Sequence, residues 1–205
     1  TYTWTLTDGT PLASVGNTLT IDANTTNPTD EIVCTASATD TDGASIESSA
    51  SIVVQNTNPS IDSFSITPGN TVEADVTLEM IYTTSDLDSE TLTTTFEWID
   101  DTGVVLGTGS TLTLDNARPV GSAITATLTV NDGYGSSDTA SETISILNTL
   151  PLVDTPASIS ASPDTVTTGV LTCSAAFSDY NDGALTPTYT WTLTDGTPLA
   201  SVGNT

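Results

Sequence analysis

Apolar and polar residues alternate along much of the chain, and this period of two predicts β-strands whose apolar side chains face a core. Residues 124–130 alternate in this way, and residues 32–38 do the same. The alternating apolar positions are Ile124, Ala126, Leu128 and Val130 in one run, and Ile32, Cys34, Ala36 and Ala38 in the other. Threonine makes up about a fifth of the chain, and its β-branched side chain suits a half-buried sheet surface. The pattern predicts an all-β protein.

Two internal repeats organise the sequence. Residues 1–18 reappear without a change as residues 188–205, so the residue at position n recurs at position n + 187. A weaker repeat relates two segments 92 residues apart, which read Asn-Thr-Asn-Pro from Asn56 and Asn-Thr-Leu-Pro from Asn148. Each of these segments follows an apolar strand, and we interpret both as joints between domains.

The joints divide each period into two domains of 92 and 95 residues, both close to the roughly 100 residues of an immunoglobulin-type sandwich with about seven strands. We therefore predict tandem immunoglobulin-like antiparallel β-sandwiches. The complete domain spans residues 57–148, while residues 1–56 form the C-terminal half of a domain and residues 149–205 form an N-terminal half. Trp4 and Trp191 are then copies of one position and cannot both fill one core. We expect either a longer array or neighbouring chains that complete each other.

Superposing the complete domain on the split one keeps the inward positions largely apolar. The aligned pairs in the second and third strands are Leu78 with Leu171, Met80 with Cys173, Tyr82 with Ala175, Phe96 with Tyr189, and Trp98 with Trp191. The later strands align Ile124, Ala126, Leu128 and Val130 with Ile32, Cys34, Ala36 and Ala38. Met80 and Ala126 take the two cysteine positions in the complete domain, so we expect packing alone to hold it.

The order of cysteine and tryptophan is that of a sandwich with an inter-sheet disulfide. Cys173 precedes Trp191 along the chain, and Cys34 follows Trp4, the copy of Trp191 in the repeat. We therefore predict a disulfide between Cys173 and the Cys34 of the next copy, which requires an oxidising compartment. The alternative is a pair of buried free thiols, which are common in protein cores.

The charge of the chain excludes several functions. There are 26 acidic residues, one basic residue and no histidine, for a formal net charge of −25. Nucleic acids and anionic membrane surfaces require Lys and Arg, so we expect neither as a partner. No segment approaches the roughly 20 apolar residues of a membrane helix, so we predict no membrane insertion. Without His or Lys, and with both cysteines bonded, catalysis is poorly supplied, and we expect no enzyme and no catalytic residues.

Acidic clusters in the predicted loops are candidate calcium ligands, because hard cations bind several oxygen atoms. In the complete domain, beside residues 56–58, the candidates are Asp86, Asp88, Glu90 and Asp132. In the split domain, beside Asn148, they are Asp179, Asn181 and Asp182 together with Asp40 and Asp42. A bound ion would stiffen the joint. The alternative is that these loops are simply solvated, since none matches a spaced ligand loop.

The segments Ser85–Thr93 and Val130–Gly133, together with the Asn-Thr-x-Pro joints, resemble bacterial and archaeal cell-surface repeats of the PKD-like and Ig-like type. The resemblance covers the whole chain and implies an extracellular stalk or an adhesin shaft. We therefore expect a structural repeat unit of a secreted filament or surface fibre, whose partners are neighbouring copies of the same repeat.

Two alternatives stay open. An adhesin repeat that binds glycans or proteins directly needs exposed anchors, and Tyr134 and Tyr180 in predicted loops are the candidates. A strand-complemented fibre subunit would instead complete its sandwich with a half-domain from another chain.

Overall fold

The computed structural model describes residues 1–73, 75–88, 91–114, 118–162, 169–200 and 203. Within these residues the chain is all-β, and none of it forms a helix long and apolar enough to cross a membrane. The described strands are β1 Tyr2–Leu6, β2 Glu31–Thr39, β3 Ser45–Val53, β4 Ser60–Thr67, β5 Thr71–Val72, β6 Thr77–Ser85, β7 Thr93–Asp100, β8 Val105–Gly107, β9 Thr111–Thr113, β10 Ala123–Asn131, β11 Ser137–Ile146, β12 Leu152–Ser162, β13 Val170–Asp179 and β14 Gly183–Leu185.

The described strands form four sheets. The first joins β1, β2 and β3, and the last joins β12, β13 and β14, each in that spatial order. Between them in sequence, one sheet has the order β4-β6-β9 and the other has the order β5-β11-β10-β7-β8. Antiparallel pairing predominates, whereas β5 pairs with β11 in parallel. The prediction of an all-β chain built from antiparallel sheets is confirmed.

The chain divides into two compact units. One unit comprises Thr1–Ser65, Met80–Glu97 and Ala126–Glu142, and the other comprises Ile66–Glu79, Trp98–Thr125 and Thr143–Thr205. Strands β4, β6, β7, β10 and β11 therefore contribute residues to both units. Each of the two predicted joints lies within a single unit, and the predicted domain boundaries stay predictions.

The strands between the two joints bury their apolar positions as the alternation predicts. In β10, the side chains at 124, 126, 128 and 130 have no exposed surface, whereas the residues between them are partly exposed. Strands β6, β7 and β11 add the buried side chains of Leu78, Met80, Trp98, Ile144 and Ile146. Burying one large aliphatic side chain stabilises a fold by about 1.5–3 kcal/mol, so these strands carry most of the apolar stabilisation.

The sheets β1-β2-β3 and β12-β13-β14 bury much less apolar surface. Every residue of β3 is exposed, and Ile52 is 66% exposed, whereas Ile144 at the corresponding position of β11 is fully buried. Leu171 in β13 is 38% exposed, whereas its counterpart Leu78 is fully buried. Among the inward positions that the sequence predicts for the split domain, Ile52 and Leu171 therefore lack the burial of their counterparts, whereas Ile32 is buried.

Both cysteines are half-buried free thiols. Cys34 lies in β2 opposite Trp4 of β1, and Cys173 lies in β13 opposite Ile159 of β12. The described part of the chain thus contains no disulfide. The predicted bond joins two different copies of the repeat, and it stays a prediction.

Candidate functional site at the joints

Aspartate side chains hold a series of turns in this structure. In each turn a carboxylate oxygen accepts a hydrogen bond from the backbone N–H two residues further along the chain, as short polar side chains do in Asx-turns. The accepting residues are Asp8, Asp22, Asp40, Asp86, Asp100, Asp132, Asp179 and Asp195. These bonds favour the charged carboxylate, and the N–H of Thr10 accordingly lowers the pKa of Asp8. The acidic loops are therefore ordered by their own charges.

Asn56 links the first joint to the turn after β10. Its Nδ2 donates to Oδ2 of Asp132 at 2.7 Å and to Oγ of Ser136 at 3.1 Å. The other carboxylate oxygen of Asp132 accepts from the N–H groups of Tyr134 at 2.7 Å and Ser136 at 3.1 Å. Asp132 is buried, and its carboxylate therefore ties Asn56 to the turn after β10.

The net effect of these contacts is to lower the pKa of Asp132. Burial by itself raises that pKa, but the hydrogen bonds from the Asn56 side chain and from the backbone of Tyr134 and Ser136 together outweigh burial. Asp132 is therefore held ionised where it contacts the joint.

Thr57 links the same joint to the loop after β6. Its backbone N–H donates to Oδ2 of Asp88 at 2.6 Å. Its hydroxyl lies 2.8 Å from that oxygen and 3.1 Å from Oδ1 of Asp86. Asp86 in turn accepts the N–H of Asp88 at 2.9 Å, so the two carboxylates and the threonine form one hydrogen-bonded group.

The second joint repeats this group around Thr149. The N–H of Thr149 donates to Oδ1 of Asn181 at 2.8 Å, and its hydroxyl lies 2.9 Å from that oxygen and 3.3 Å from Oδ1 of Asp179. Asp179 accepts the N–H of Asn181 at 2.7 Å. All three residues are buried. Thr149, Asp179 and Asn181 therefore take the places of Thr57, Asp86 and Asp88.

One substitution distinguishes the two joints. Asp88 can only accept hydrogen bonds when it is ionised, whereas an amide also donates. Asn181 at the equivalent position uses its Nδ2 to donate to the carbonyl of Arg118 at 3.0 Å and to the carbonyl of Leu147 at 3.3 Å. The second joint thus gains two contacts to preceding parts of the chain that the carboxylate of Asp88 could not make.

Arg118, the single basic residue of the chain, lies beside the second joint. Its guanidinium is 4.0 Å from the carboxylate of Asp100, while its carbonyl accepts the amide of Asn181. Bonds from the Thr102 hydroxyl and the Val104 N–H, with a smaller contribution from Arg118, lower the pKa of Asp100. Arg118 contributes to the joint chiefly through its backbone, because a partly exposed ion pair at this distance stabilises little.

The structure brings some of the predicted calcium ligands together. Asp86, Asp88 and Asp132 all contact the Asn56–Thr57 joint, and Asp179 and Asn181 meet at Thr149. Asp182 is exposed beside that second group, and Asp40 and Asp42 are exposed around a turn of the first unit. Glu90 lies outside the described residues. Where they are grouped, these acids act as hydrogen-bond acceptors.

The sequence places the acids near the joints but does not identify their partners. Thr57 and Thr149 are the residues that sequence reasoning missed, since both appear only as part of a repeated joint motif. The available signal was their shared position directly after Asn56 and Asn148, 92 residues apart. Acidic side chains near a repeated Asn-Thr pair can accept hydrogen bonds from the backbone and side chains of that pair.

Comparisons of the chain with protein-family models, with curated protein sequences and with solved structures give no match. The two joints and the internal repeat are the features of this chain that bear on its function.

Replacing Asp132 with asparagine tests the charged contact at the first joint. Because the folded-state pKa lies below the roughly 3.9 of an unfolded aspartate, the ionised form contributes stability that is fully present above that pH. This contribution is lost as the pH falls through the folded pKa. We expect the urea-unfolding free energy of the native chain to fall more steeply than that of Asp132→Asn between about pH 5 and about pH 3.

The matched control is Asp101→Asn, which removes the same charge from an exposed side chain. Its pH dependence should follow that of the native chain. Equal pH dependence for both variants would contradict the role assigned to Asp132.

Replacing Thr57 with valine removes the hydroxyl contacts to Asp86 and Asp88 while keeping the β-branched shape. We expect the free energy of unfolding to fall by about 1–3 kcal/mol, the usual cost of losing hydrogen bonds to charged groups. Hydrogen exchange at the residue 57 amide should also accelerate, because its acceptor Asp88 becomes less firmly held.

The control for this variant is Thr95→Val, on an exposed position of β7. It should leave both measurements close to those of the native chain. If Thr57→Val were equally silent, the joint would not depend on this hydroxyl.

Proposed function

We propose that the chain supplies structural repeat units of a secreted extracellular filament, stalk or surface fibre. The observation that carries the proposal is the repetition of one hydrogen-bonded joint, at Thr57 and again at Thr149. A joint fixed in the same way at successive positions sets a regular relation between each domain and the chain that enters it. Arrays of this kind gain length by adding copies, because each domain contacts only its neighbours.

The strand pairing supports the immunoglobulin-like part of the proposal. In such sandwiches, strands A, B and E share one sheet and strands C, F and G share the other. If β4, β6, β7, β9, β10 and β11 are assigned as A, B, C, E, F and G, the two sheets have the orders A-B-E and G-F-C. Strands β5 and β8 then flank the second sheet.

The acidity of the chain also supports an extracellular array. A net charge of −25 keeps a threonine-rich β-protein soluble and separate from its neighbours. In salt water the screening length of such charges is about 10 Å or shorter, so a saline environment reduces the self-repulsion of the folded chain. We propose no catalytic, nucleic-acid-binding or membrane-inserting role for the chain.

Imaging of source cells tests the proposal directly. We expect gold-labelled antibodies raised against residues 57–148 to mark extracellular threads about one domain wide, with label repeated along each thread. Antibodies against a cytoplasmic protein of the same cells serve as the control, because they mark material released from broken cells. Label confined to the cell interior would refute the proposed function.

Calcium binding at the first joint is a further part of the proposal. Asn56 Oδ1 and Asp86 Oδ2 are buried oxygen atoms with no hydrogen-bond partner among the described residues, and calcium binds carboxylate and amide oxygens. The described residues contain no group of three or more His, Cys, Asp or Glu side chains arranged to hold a metal. Amide oxygens, backbone carbonyls or water would therefore complete the coordination.

A melting experiment tests the calcium proposal. Calcium should raise the melting temperature of the native chain, a chelator should reverse the rise, and Asp86→Asn should weaken the response. Asp101→Asn, on an exposed side chain, should respond as the native chain does. An unchanged melting temperature with and without chelator would remove calcium from the proposal.

An adhesin repeat is the second candidate function. Tyr134 and Tyr180 are 45% and 38% exposed, and each lies in the turn held by a joint aspartate, Asp132 or Asp179. Exposed tyrosines on rigid turns are suitable anchors for a glycan or a protein. Adhesion that disappears when both are replaced by alanine would favour this function over a purely structural one.

A further inference from the structure

The sheets β1-β2-β3 and β12-β13-β14 lie at the two ends of the sequence and are called the outer sheets. They bury less apolar side-chain surface than the strands between the joints. On one side of β3, Ile46 and Ile52 are 74% and 66% exposed. On β12, Ile159 is 65% exposed. At the corresponding positions of the complete domain, Ile144 replaces Ile52 and is fully buried. Both outer sheets therefore present exposed apolar residues, and Ile52 occupies a position that is buried in the complete domain.

The repeated segment, residues 1–18 and 188–205, gives the chain two copies of the β1 sequence. Both copies form the same hairpin: Leu6 N–H donates to the Thr10 carbonyl at 2.9 Å, and Leu193 N–H donates to the Thr197 carbonyl at 2.8 Å. Only the first copy joins a sheet, where β1 pairs with β2 in a register that sets Trp4 opposite Cys34. In the described second copy, pairing is limited to a bridge between Thr192 and Pro198. Residues 189–193 are thus a copy of β1 without its β2.

The tryptophan side chains also differ between the complete domain and the two split halves. In the complete domain, Trp98 Nε1 donates to the Gly109 carbonyl at 2.8 Å. Trp4 and Trp191 occupy the equivalent positions, yet their Nε1 atoms are buried with no hydrogen-bond partner among the described residues. A buried N–H without an acceptor is unfavourable. Of these three indoles, only that of Trp98 therefore has a hydrogen-bond acceptor among the described residues.

A comparison of the two joints identifies a hydrogen bond of the first joint that the second joint lacks. Asn56 Nδ2 donates to Oδ2 of Asp132 at 2.7 Å. The residues 92 positions away from these two are Asn148 and Asp40. Asn148 Nδ2 instead donates to the carbonyl of its neighbour Thr149 at 2.8 Å. The second joint thus has the asparagine but not the carboxylate that completes the first joint.

Asp40 already has the conformation that this contact needs. Its Oδ1 accepts the N–H groups of Asp42 at 3.0 Å and Ala44 at 2.9 Å. In the same way, Oδ1 of Asp132 accepts the N–H groups two and four residues further along. Asp132 offers its second oxygen to Asn56, whereas Asp40 is exposed. The turn at Asp40 therefore has its conformation without a contact to Asn148.

We propose that residues 149–193 of one copy of this chain dock head-to-tail on residues 19–56 of a second copy and close a sandwich equivalent to the complete domain. Residues 189–193 of the first copy displace β1 of the second copy, which pairs with β2 in this structure, and take its place. The register of β1 then sets Tyr189 opposite Ala36 and Trp191 opposite Cys34. Asn148 of the first copy donates to Asp40 of the second.

This inference deepens the proposed function and rests on it for its biological role, because it names the partner at the second joint. The two ideas can fail separately. Threads on the source cells would stand as evidence for the filament even if separate copies did not dock. Docking in solution would stand even if the threads were absent.

Cysteine cross-linking of the full chain tests the docking. Cys173 and Cys34 correspond to Met80 and Ala126, both buried in the complete domain, so docking brings the two thiols to facing sheets. Oxidised glutathione is the oxidant, and each disulfide formed passes two electrons to it, giving two molecules of reduced glutathione. The native chain should form a series of disulfide-linked oligomers on a non-reducing gel, and a reducing agent should convert them to monomers.

Two single variants test whether the disulfide joins Cys173 of one copy to Cys34 of another. Cys34→Ser keeps only Cys173, and Cys173→Ser keeps only Cys34. A mixture of the two should stop at a dimer whose linked peptides contain Cys34 and Cys173, at least tenfold more abundant than either variant alone gives. Equal yields from the separate variants, a disulfide within one chain, or the absence of any dimer would each overturn the proposal.

The asparagine contact has its own test in the same assay. Asn148→Asp sets a second carboxylate against Asp40, and we expect about a tenfold lower rate of cross-linking, the effect of roughly 1.4 kcal/mol. Adding Asp40→Asn to that variant restores a donor and an acceptor and should recover the rate. Asn58→Asp makes the same charge change on an exposed residue of the other joint and should have little effect. Failure of Asp40→Asn to rescue would overturn the assigned contact.

Discussion

The acceptance of backbone and side-chain donors by aspartate carboxylates is the interaction on which the rest of the structure depends. Asp132 fixes its own turn with one oxygen and the Asn56 side chain with the other. Oδ1 of Asp86 holds both its own turn and the Thr57 hydroxyl, and Oδ1 of Asp179 holds both its own turn and the Thr149 hydroxyl. Charges that would repel each other in a loose loop are thus held in place by donors from the chain itself.

This arrangement explains how so acidic a chain can be built largely from sheets. The apolar strands between the joints supply the core, and the threonines between their apolar positions cover the surface without adding charge. The aspartates are gathered at turns, where N–H groups would otherwise need solvent or another acceptor. Charge and backbone hydrogen bonding are therefore matched at the ends of the strands.

Much of the fold can be predicted from the sequence, but the contacts of the joints cannot. The alternation from Ile124 to Val130 predicts a buried strand because burial there depends on a local period. Ile52 fits the same pattern and is exposed, because burial also requires a second sheet that the local sequence cannot supply. Asp86 and Asp88 could be placed near the joint, but their bonds to Thr57 depend on side-chain orientation, which spacing does not determine.

The short parallel pair of β5 and β11 has a mechanical consequence. Ser145 N–H donates to the Asn70 carbonyl at 2.9 Å, and Leu147 N–H donates to the Val72 carbonyl at 2.7 Å. These bonds connect a segment that follows the first joint to the strand that leads into the second. Tension along the chain pulls the two strands past each other, so the bonds share the load and rupture together. A filament made of such units would resist stretching up to a threshold force and then lengthen abruptly.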